Sequence, residues 1–309
     1  MKKYFIFLLA TSTLLASQLP FILNPEYFNT CVPVKEEMRK DSLPLISGDS
    51  FRAFCDHKID ETNQAFYPES VVKGDIIYVT PLGLKVFFET VHPKISEPYL
   101  LLTHNSDDSF PEGYEEYLSD EKLKYWFTTN NSLPNHPKMV SIPIGIANAY
   151  WSHGDKATFL QAMKGQSEKK HLLIMNFQIH TNIQKRAPIF EYFKMKDFCY
   201  SPPMKDLRPY LEDVKASYFV LSPLGNGLDC HRTWEALLLG TIPVIESTTL
   251  DSMFEDLPVV IVDDLKKVDT TFLMEKLEEL STQEFIIEKT FMSYWKAVID
   301  QKKNEVINR

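Results

Sequence analysis

The chain has 309 residues, of which 44% are hydrophobic, 13% aromatic and 24% charged. This length suits two domains of about 130 residues each, because domains typically run to ~100–200 residues. The net charge of −9 argues against a general nucleic-acid binder, which would carry a basic face. A small anionic ligand is not excluded, since a few local arginines can hold a phosphate within an acidic protein.

The first 25 residues differ from the rest of the chain. Lys2 and Lys3 precede an uncharged run, Tyr4–Pro25, which opens with YFIFLLATSTLLAS. A basic start before an apolar run is typical of a secretory signal, and the run is close to the ~20 residues that span a bilayer. We therefore expect residues 1–25 to be a signal peptide or signal-anchor, with residues 4–23 as the candidate membrane attachment.

Two further features bear on location. The tripeptide Asn130-Asn131-Ser132 is an N-glycosylation sequon, which is compatible with an exported chain. Cys31 and Cys55 could pair in an oxidising compartment, but four unpaired thiols are an equally good interpretation because no CxxC pair is present. The expectation is a membrane-anchored or exported protein, in the Golgi lumen if the source is eukaryotic.

Short apolar runs alternate with amphipathic stretches along the chain. Runs rich in β-branched and aromatic residues and bounded by Pro, Asn or Asp predict strands. The predicted strands are Asp75–Thr80, Tyr99–Thr103, Tyr125–Thr129, Met139–Ile142, Leu172–Phe177, Phe198–Tyr200, Tyr218–Leu221, Ile242–Ile245 and Val259–Ile261. The predicted helices are Leu84–Val91, Tyr114–Lys122, Asn182–Lys194, Lys205–Ala216, His231–Leu239 and Thr271–Leu280.

Apolar strands that alternate with helices predict parallel sheets covered on both faces. We therefore expect an α/β protein with two doubly wound, Rossmann-like domains that face a central cleft at the carboxyl ends of both sheets. The polar stretch within 157–170 places the boundary, which gives domains at 26–160 and 161–309. The tail Thr282–Asp300 is predicted to be a long helix that packs back across the first domain.

The most informative passage is YFVLSPLGNGLDCHRTWEALLLGTIPVIE, at 218–246. A predicted buried strand ends at Ser222, a loop with Gly225, Asn226 and Gly227 follows, and Asp229 is the expected N-cap of the next helix. Strand, glycine loop and helix N-terminus form an arrangement that binds phosphate, because free N–H groups point outward and the helix dipole adds partial positive charge.

Arg232 and Glu235 share one face of that helix. An arginine is unfavourable in the first turn unless an anion lies nearby. A guanidinium suits a diphosphate and a carboxylate suits two ribose hydroxyls, so the pair predicts a nucleoside diphosphate. The alternative is a surface ion pair worth only ~0.2–0.5 kcal/mol. The glycine loop before the helix and the apolar remainder of the helix favour the ligand.

The run SPxGxGxDxxRxWEALxxGxIPV resembles the exostosin-like glycosyltransferases over about 218–244. The resemblance implies the GT-B fold, a nucleotide-sugar donor and inversion at the anomeric carbon. It implies that Arg232 contacts the donor diphosphate and Glu235 the donor ribose. Family members place an arginine after the first strand of this domain, so Arg186 is a second diphosphate candidate, with an exposed helix residue as the alternative. The first half resembles the family only weakly.

Inverting transfer needs a general base that takes the proton of the acceptor hydroxyl. The polar cluster at 103–108 follows a predicted strand and faces the expected cleft, so His104 or Asp107 could serve. The alternative is a loop whose side chains cap the next helix. The stretch IPIGIANAYWSHG at 142–154 is another cleft candidate, in which Trp151 and His153 stack on a sugar ring or pack the domain.

No D-x-D, HExxH or Walker A motif is present, so we expect no metal and no cofactor beyond a nucleotide-diphosphate sugar as co-substrate. Gly225-x-Gly227 half-matches the dinucleotide fingerprint, which leaves a nicotinamide oxidoreductase as an alternative, although Cys230 replaces the third glycine. A non-catalytic sugar-binding or nucleotide-binding protein is the other alternative. The favoured function is sugar transfer to a carbohydrate or glycoprotein hydroxyl, with the donor on the second domain, the acceptor on the first and no nucleic-acid partner.

Overall fold

The computed structural model describes residues 21–22 and 34–308. The expected signal or anchor segment therefore lies outside the described residues, apart from the two-residue strand β1, Phe21–Ile22. Within the described part of the chain, no helix is long and apolar enough to cross a membrane. Cys31 also lies outside the described residues, and Cys55 is a free thiol buried in the core.

The first domain is built on one parallel sheet. Its strands are His57–Ile59 (β2), Ile76–Val79 (β4), Tyr99–Thr103 (β5), Leu123–Thr128 (β6) and Met139–Ser141 (β7), and β3 (Ala65–Phe66) pairs antiparallel with β1. The spatial order of the parallel strands is β2-β4-β5-β6-β7. Alternate side chains of β4 and β5 enter two separate hydrophobic clusters, which shows that both faces of the sheet are covered.

The second domain has a similar parallel sheet. Its strands are His171–Ile174 (β8), Cys199–Tyr200 (β9), Ser217–Leu221 (β10), Ile242–Glu246 (β11) and Val260–Val262 (β12). They are ordered β12-β11-β10-β8-β9, and every pair is parallel. The predicted architecture of two parallel-sheet α/β domains is therefore confirmed.

The helices cover these sheets. They are Gly48–Ala53 (α1), Pro81–Val86 (α2), Lys156–Ala162 (α3), Ile183–Phe193 (α4), Leu207–Lys215 (α5), His231–Leu238 (α6), Thr270–Ser281 (α7) and Met292–Ile307 (α8). Phe159 of α3 packs in one cluster with Leu211 and Val214 of α5. Helix α3 therefore packs with the second domain, a few residues before the predicted boundary.

The carboxyl-terminal helix returns to the first domain, as the sequence predicts, but it begins ten residues later than the tail Thr282–Asp300. Trp295 and Ile299 share a cluster with Phe51 and Tyr78. The Nζ atom of Lys303 lies 2.6 Å from a carboxylate oxygen of Asp56. The last helix therefore joins the two domains by both apolar and charged contacts.

Sequence patterns located the central elements better than the peripheral ones. The predicted helix Tyr114–Lys122 is only a 3-10 turn at Glu115–Ser119, because the apolar residues at 114, 117 and 118 provide for one turn and no more. The predicted helix Leu84–Val91 consists of α2 followed by a wider π-type turn at Phe87–Val91. Helices α1 and α3 and strand β2 were missed, since six or seven residues carry too little periodicity to indicate them.

Candidate active site

The glycine loop joins β10 to α6 where the two domains meet. Ser222 ends the strand: its backbone nitrogen donates to Val244 O at 2.9 Å, and its hydroxyl shares a 3.0 Å hydrogen bond with Thr233 Oγ1 in the first turn of α6. Ser222 is buried. Its hydroxyl therefore ties the strand to the helix.

A side chain of the first domain holds this loop. Asn130, at the carboxyl end of β6, accepts hydrogen bonds on Oδ1 from Leu228 N at 2.8 Å and Asp229 N at 3.0 Å. A Cβ atom on Gly227 would lie only 2.7 Å from Asn130 Nδ2, so the approach requires glycine. The prediction that the loop amides hold phosphate is therefore wrong at Leu228 and Asp229, because Asn130 already occupies both N–H groups.

Asn130 is also the acceptor asparagine of the sequon Asn130-Asn131-Ser132. It is fully buried and adopts a left-handed backbone conformation with φ of 47°. Its amide nitrogen donates to Ser106 O of the same domain at 3.3 Å. In the folded protein this asparagine is inaccessible to a glycan-transferring enzyme, so the sequon says nothing about the compartment.

Asp229 links the domains and is not the helix cap. The N-cap of α6 is Cys230, so the predicted cap is wrong by one residue. Asp229 accepts from Cys230 N at 2.8 Å and from Trp234 Nε1 at 2.8 Å, and its Oδ2 also accepts from Ile144 N of the first domain at 2.8 Å. Burial raises the pKa of Asp229 to about 6. Both carboxylate oxygens are engaged in holding the loop.

The tip of the loop reaches the predicted polar cluster of the first domain. Asn226 Nδ2 donates to Asp107 Oδ2 at 3.2 Å, and both side chains are exposed. Gly225 O accepts from Asn182 Nδ2 at 2.7 Å. The structure therefore places the exposed Asn226 against Asp107, whereas Gly225 is buried and held by Asn182.

Arg186 holds the loop from beneath. Its Nε donates to Leu224 O at 2.8 Å, and its Nη2 donates to Pro223 O at 3.2 Å. The interpretation of Arg186 as an exposed helix residue is wrong, because the side chain is buried. Burial and the neighbouring Arg232 lower its pKa, since both disfavour the charged form.

Arg232 lies beside Arg186 with an unused donor. Both guanidinium carbons lie 5.6 Å from the centre of the Phe177 ring. Arg232 Nε donates to Asn176 O at 2.7 Å, whereas its Nη1 is buried with no hydrogen-bond partner. Asn176 Nδ2 is likewise buried and unpartnered, and the residue is 5% exposed. Two buried donors therefore lack acceptors, next to two arginines that form no ion pair among the described residues, and this arrangement suits an anion.

Glu235 lies on the same helix but forms no surface pair with Arg232. It is buried, and its Oε2 accepts from Tyr210 Oη at 2.8 Å. Burial raises the pKa of this carboxyl, although Tyr210 and the charge of Arg232 act in the opposite direction. The interpretation as an exposed ion pair is therefore wrong, and the carboxylate is held inside the site.

His104 is placed differently from the prediction. It is 2% exposed, its Nε2 donates to Pro143 O at 3.1 Å and its Nδ1 accepts from Asn105 N at 2.7 Å. Burial lowers its pKa to about 4, so the ring is neutral at pH 7. With both nitrogens engaged, His104 is a poor base, whereas Asp107 is exposed beside Asn226.

Asn130, Asn176 and Tyr210 were missed from the sequence. Asn176 had a usable signal, since it follows an apolar strand at its carboxyl end, where ligand sites of parallel sheets lie. Asn130 and Tyr210 had none, because their roles arise from contacts between distant segments. Among the described residues, no group of three or more His, Cys, Asp or Glu side chains is placed to hold a metal ion.

Two parallel-sheet α/β domains that meet beside the carboxyl ends of their strands have the architecture of the GT-B class. In the second domain, residues 156–306 match the family described as the RXYLT1 C-terminal domain. The recognition of an exostosin-like glycosyltransferase is thereby confirmed for this half of the chain.

Other comparisons are distant, and no curated protein matches the chain. The structure is similar to the UDP-GlcNAc 2-epimerase of Methanocaldococcus jannaschii, with 13% identity, 67% of this chain and 70% of that chain covered, and a TM-score of 0.32. It is also similar to the pneumococcal O-GlcNAc transferase GtfA, with 13% identity, 76% of this chain and 58% of that chain covered, and a TM-score of 0.38. The catalytic domain of starch synthase IV of Arabidopsis thaliana is 11% identical, with 76% of this chain and 73% of that chain covered, and a TM-score of 0.35. TM-scores this low support no inference about function.

Proposed function

We propose that the protein is an inverting glycosyltransferase that moves a sugar from a nucleotide-diphosphate sugar to a hydroxyl of a carbohydrate or glycoprotein. The observation that carries the proposal is the pair of buried, unpartnered donors, Arg232 Nη1 and Asn176 Nδ2. Leaving such donors unpaired costs about 1–3 kcal/mol each. A ligand rich in acceptor oxygens removes that cost, and a diphosphate is such a ligand.

The charge of the site supports a diphosphate leaving group. Arg232 and Arg186 lie on the same phenylalanine, and their charges destabilise each other. Arg232 contacts the diphosphate directly. Arg186 acts through its charge, because its N–H groups donate to loop carbonyls. The positive charge that stabilises the leaving group thus comes from side chains, and we propose that no metal is required.

Glu235 is the proposed ribose ligand. Tyr210 holds its Oε2 and so fixes the orientation of the carboxylate. The second oxygen is left for a ribose hydroxyl. Gly225 and Asn226 remain at the cleft as donor-side residues, whereas Ser222, Gly227 and Asp229 shape the loop.

Asp107 is the proposed general base. The acceptor oxygen forms a bond to the anomeric carbon from the face opposite the diphosphate, and Asp107 takes the hydroxyl proton. The bond between the anomeric carbon and the phosphate oxygen breaks, and its electron pair leaves with the diphosphate. Asn226 donates to Asp107 Oδ2 at 3.2 Å, which ties the base to the donor loop.

A donor screen tests the proposal. Purified protein is incubated with UDP-sugars and GDP-sugars in EDTA, and release of UDP or GDP is measured with and without glycoside acceptors. Release that depends on a sugar donor and survives EDTA is expected. Nucleotide binding without turnover of any donor would favour a non-catalytic binding protein, and reduction of a nicotinamide dinucleotide would favour the oxidoreductase.

The location is a separate proposal. We propose that residues 4–23 direct the chain to a membrane or to export, because this run is uncharged and follows two lysines. Membrane fractionation with amino-terminal sequencing tests it. A protein recovered in the soluble cytosolic fraction with residue 1 intact would contradict it.

A further inference from the structure

One turn of the first domain, residues 150–154, carries three aromatic side chains and has no role in the proposed donor site; we call it the aromatic turn. Trp151 is 41% exposed, whereas Trp126, Trp234 and Trp295 are buried. These four are all the tryptophans of the chain. The ring of Trp151 stacks on His153 with ring centres 5.9 Å apart and a tilt of 29°. The exposed indole beside an imidazole offers an apolar face with a polar edge.

The turn that carries Trp151 is rigidly supported. Trp151 N donates to Asn148 O at 3.0 Å, and Gly154 N donates to Trp151 O at 2.9 Å. A Cβ atom on Gly154 would lie 2.2 Å from Asn148 O, so this close packing requires glycine. Asn148 is fixed in turn, since its Oδ1 accepts from Asp49 N at 2.9 Å. The aromatic surface is therefore preformed, which reduces the entropy cost of binding.

Tyr150 supports the same surface from within the first domain. Its ring lies 5.4 Å from that of Trp151, centre to centre. The guanidinium carbon of the buried Arg39 lies 5.6 Å from the centre of the Tyr150 ring. A cation over an aromatic face is attracted by the negative face of the ring. These contacts hold the Tyr150 ring in place beside Trp151.

The segment that carries the turn also contacts the donor domain. His231, in the first turn of α6, donates through Nδ1 to Gly145 O of the first domain at 2.7 Å. Burial lowers the pKa of His153, and the charges of His231 and Glu235 also act on it. Gly145 and Trp151 lie in the same segment, 142–154, so this hydrogen bond holds the segment against the first turn of α6.

We propose that Trp151 and His153 form the acceptor subsite, and that the ring of a pyranoside lies on the Trp151 indole with one hydroxyl near Asp107. The apolar C–H face of a pyranose matches an exposed indole, and its equatorial hydroxyls match the adjacent imidazole. The proposal rests on the proposed function, because it places the second substrate of the same reaction.

Fluorescence tests the subsite directly. Trp151 is the only exposed tryptophan, so acrylamide quenching of the native protein reports mainly on this ring. Methyl β-glycosides of xylose, glucose, galactose and N-acetylglucosamine are added in turn, with UDP or GDP present. At least one glycoside is expected to lower the quenching constant about twofold, and Trp151→Phe removes the signal altogether. If nucleotide alone protects Trp151 fully from acrylamide, the indole stacks on the nucleobase of the donor and the proposal is overturned.

Kinetics of two matched variants separate binding from folding. Trp151→Ala is expected to raise the acceptor KM at least tenfold without changing the donor KM, and Trp151→Phe to raise it about threefold. The control is Tyr67→Ala, because Tyr67 is also 41% exposed but lies in the segment that leads into the amino end of β4. An unchanged acceptor KM in Trp151→Ala would overturn the subsite.

The two proposals fail in distinguishable ways. In calorimetry, UDP and GDP binding is expected to weaken in Arg232→Ala and to stay unchanged in Trp151→Ala. If nucleotide binds and donor is turned over, but no glycoside protects Trp151, the subsite alone is wrong. If no nucleotide binds to the wild type, the proposed function fails, whatever the tryptophan shows.

Discussion

The side-chain oxygen of Asn130 lies 2.8 Å from the backbone nitrogen of Leu228, so one domain completes the glycine loop of the other. The same oxygen accepts from Asp229 N. Three further polar contacts join the domains around this point, from Asp107, Ile144 and Gly145 to the loop or the first turn of α6. The shape of the loop therefore depends on the docked first domain.

The first prediction concerns Asn130. Asn130→Ala leaves the partly buried N–H of Leu228 and the buried N–H of Asp229 without an acceptor, and a buried unpaired donor costs about 1–3 kcal/mol. We expect a loss of about 2–4 kcal/mol in the free energy of unfolding, measured in urea, and weaker nucleotide binding because the loop is no longer held. Asn304→Ala, at an exposed position on α8, is the control. Equal stability of the two variants would show that the loop keeps its shape unaided.

The second prediction concerns Arg232. Arg232→Ala is expected to weaken UDP or GDP binding about 10–100-fold in calorimetry, because hydrogen bonds to a charged partner contribute about 1.5–3 kcal/mol. Arg232→Lys keeps the charge but loses the planar fork, so it should recover only part of the affinity. Arg208→Ala is the control, since Arg208 is exposed and pairs only with Glu212 on its own helix. Full affinity in Arg232→Ala would place the diphosphate elsewhere.

The third prediction separates Asn176 from Arg232. Asn176→Ala removes one neutral donor, and we expect nucleotide binding to weaken about fivefold, since such a bond contributes about 1 kcal/mol. Asn176→Asp adds a negative charge beside the diphosphate and should bind more weakly than the alanine variant. Calorimetry at pH 7.5 gives both values. If the aspartate variant binds as well as the wild type, no anion lies at Asn176.

The sequence predicted the sheets because buried parallel strands such as Tyr99–Thr103 are continuous apolar runs with sharp ends. It also selected the segment from Ser222 to Glu235, since glycine loops and helix starts have local signals. Which atoms are free for a ligand was not predictable. The amides of Leu228 and Asp229 are occupied by Asn130, which lies about 100 residues away in the chain. Contacts of that kind depend on how the domains dock, and no local pattern encodes them.

The fourth prediction is a pH dependence from His104. Its pKa is about 4 in the folded protein against 6.5 for the free side chain. The unfolded chain therefore binds the proton first, and His104 destabilises the fold as the pH falls from 6.5 to 4, by up to about 3 kcal/mol. The stability advantage of the wild type over His104→Gln should shrink over this range, as measured by urea unfolding at each pH.

Asp229 should show the opposite pH dependence of stability, so it serves as a control for the His104 prediction. Its pKa is raised to about 6 from 3.8, so the folded protein binds the proton first as the pH falls from 6 to 3.8. The advantage of the wild type over Asp229→Asn should therefore grow over this range. If both differences stay constant with pH, neither group is buried as the structure shows.

The fifth prediction identifies the base. Asp107→Asn keeps the size and the contact with Asn226 but cannot take a proton at pH 7. General base catalysis contributes about 10²–10⁴-fold, so kcat should fall by that factor while the donor KM stays within about twofold. Asp108→Asn is the neighbouring control, because Asp108 is exposed and its carboxylate accepts from Ser106 Oγ in the same loop. Full activity in Asp107→Asn, with the same rate in Asp108→Asn, would remove Asp107 as the base and direct attention to His153, the remaining imidazole beside Glu235 and the acceptor subsite.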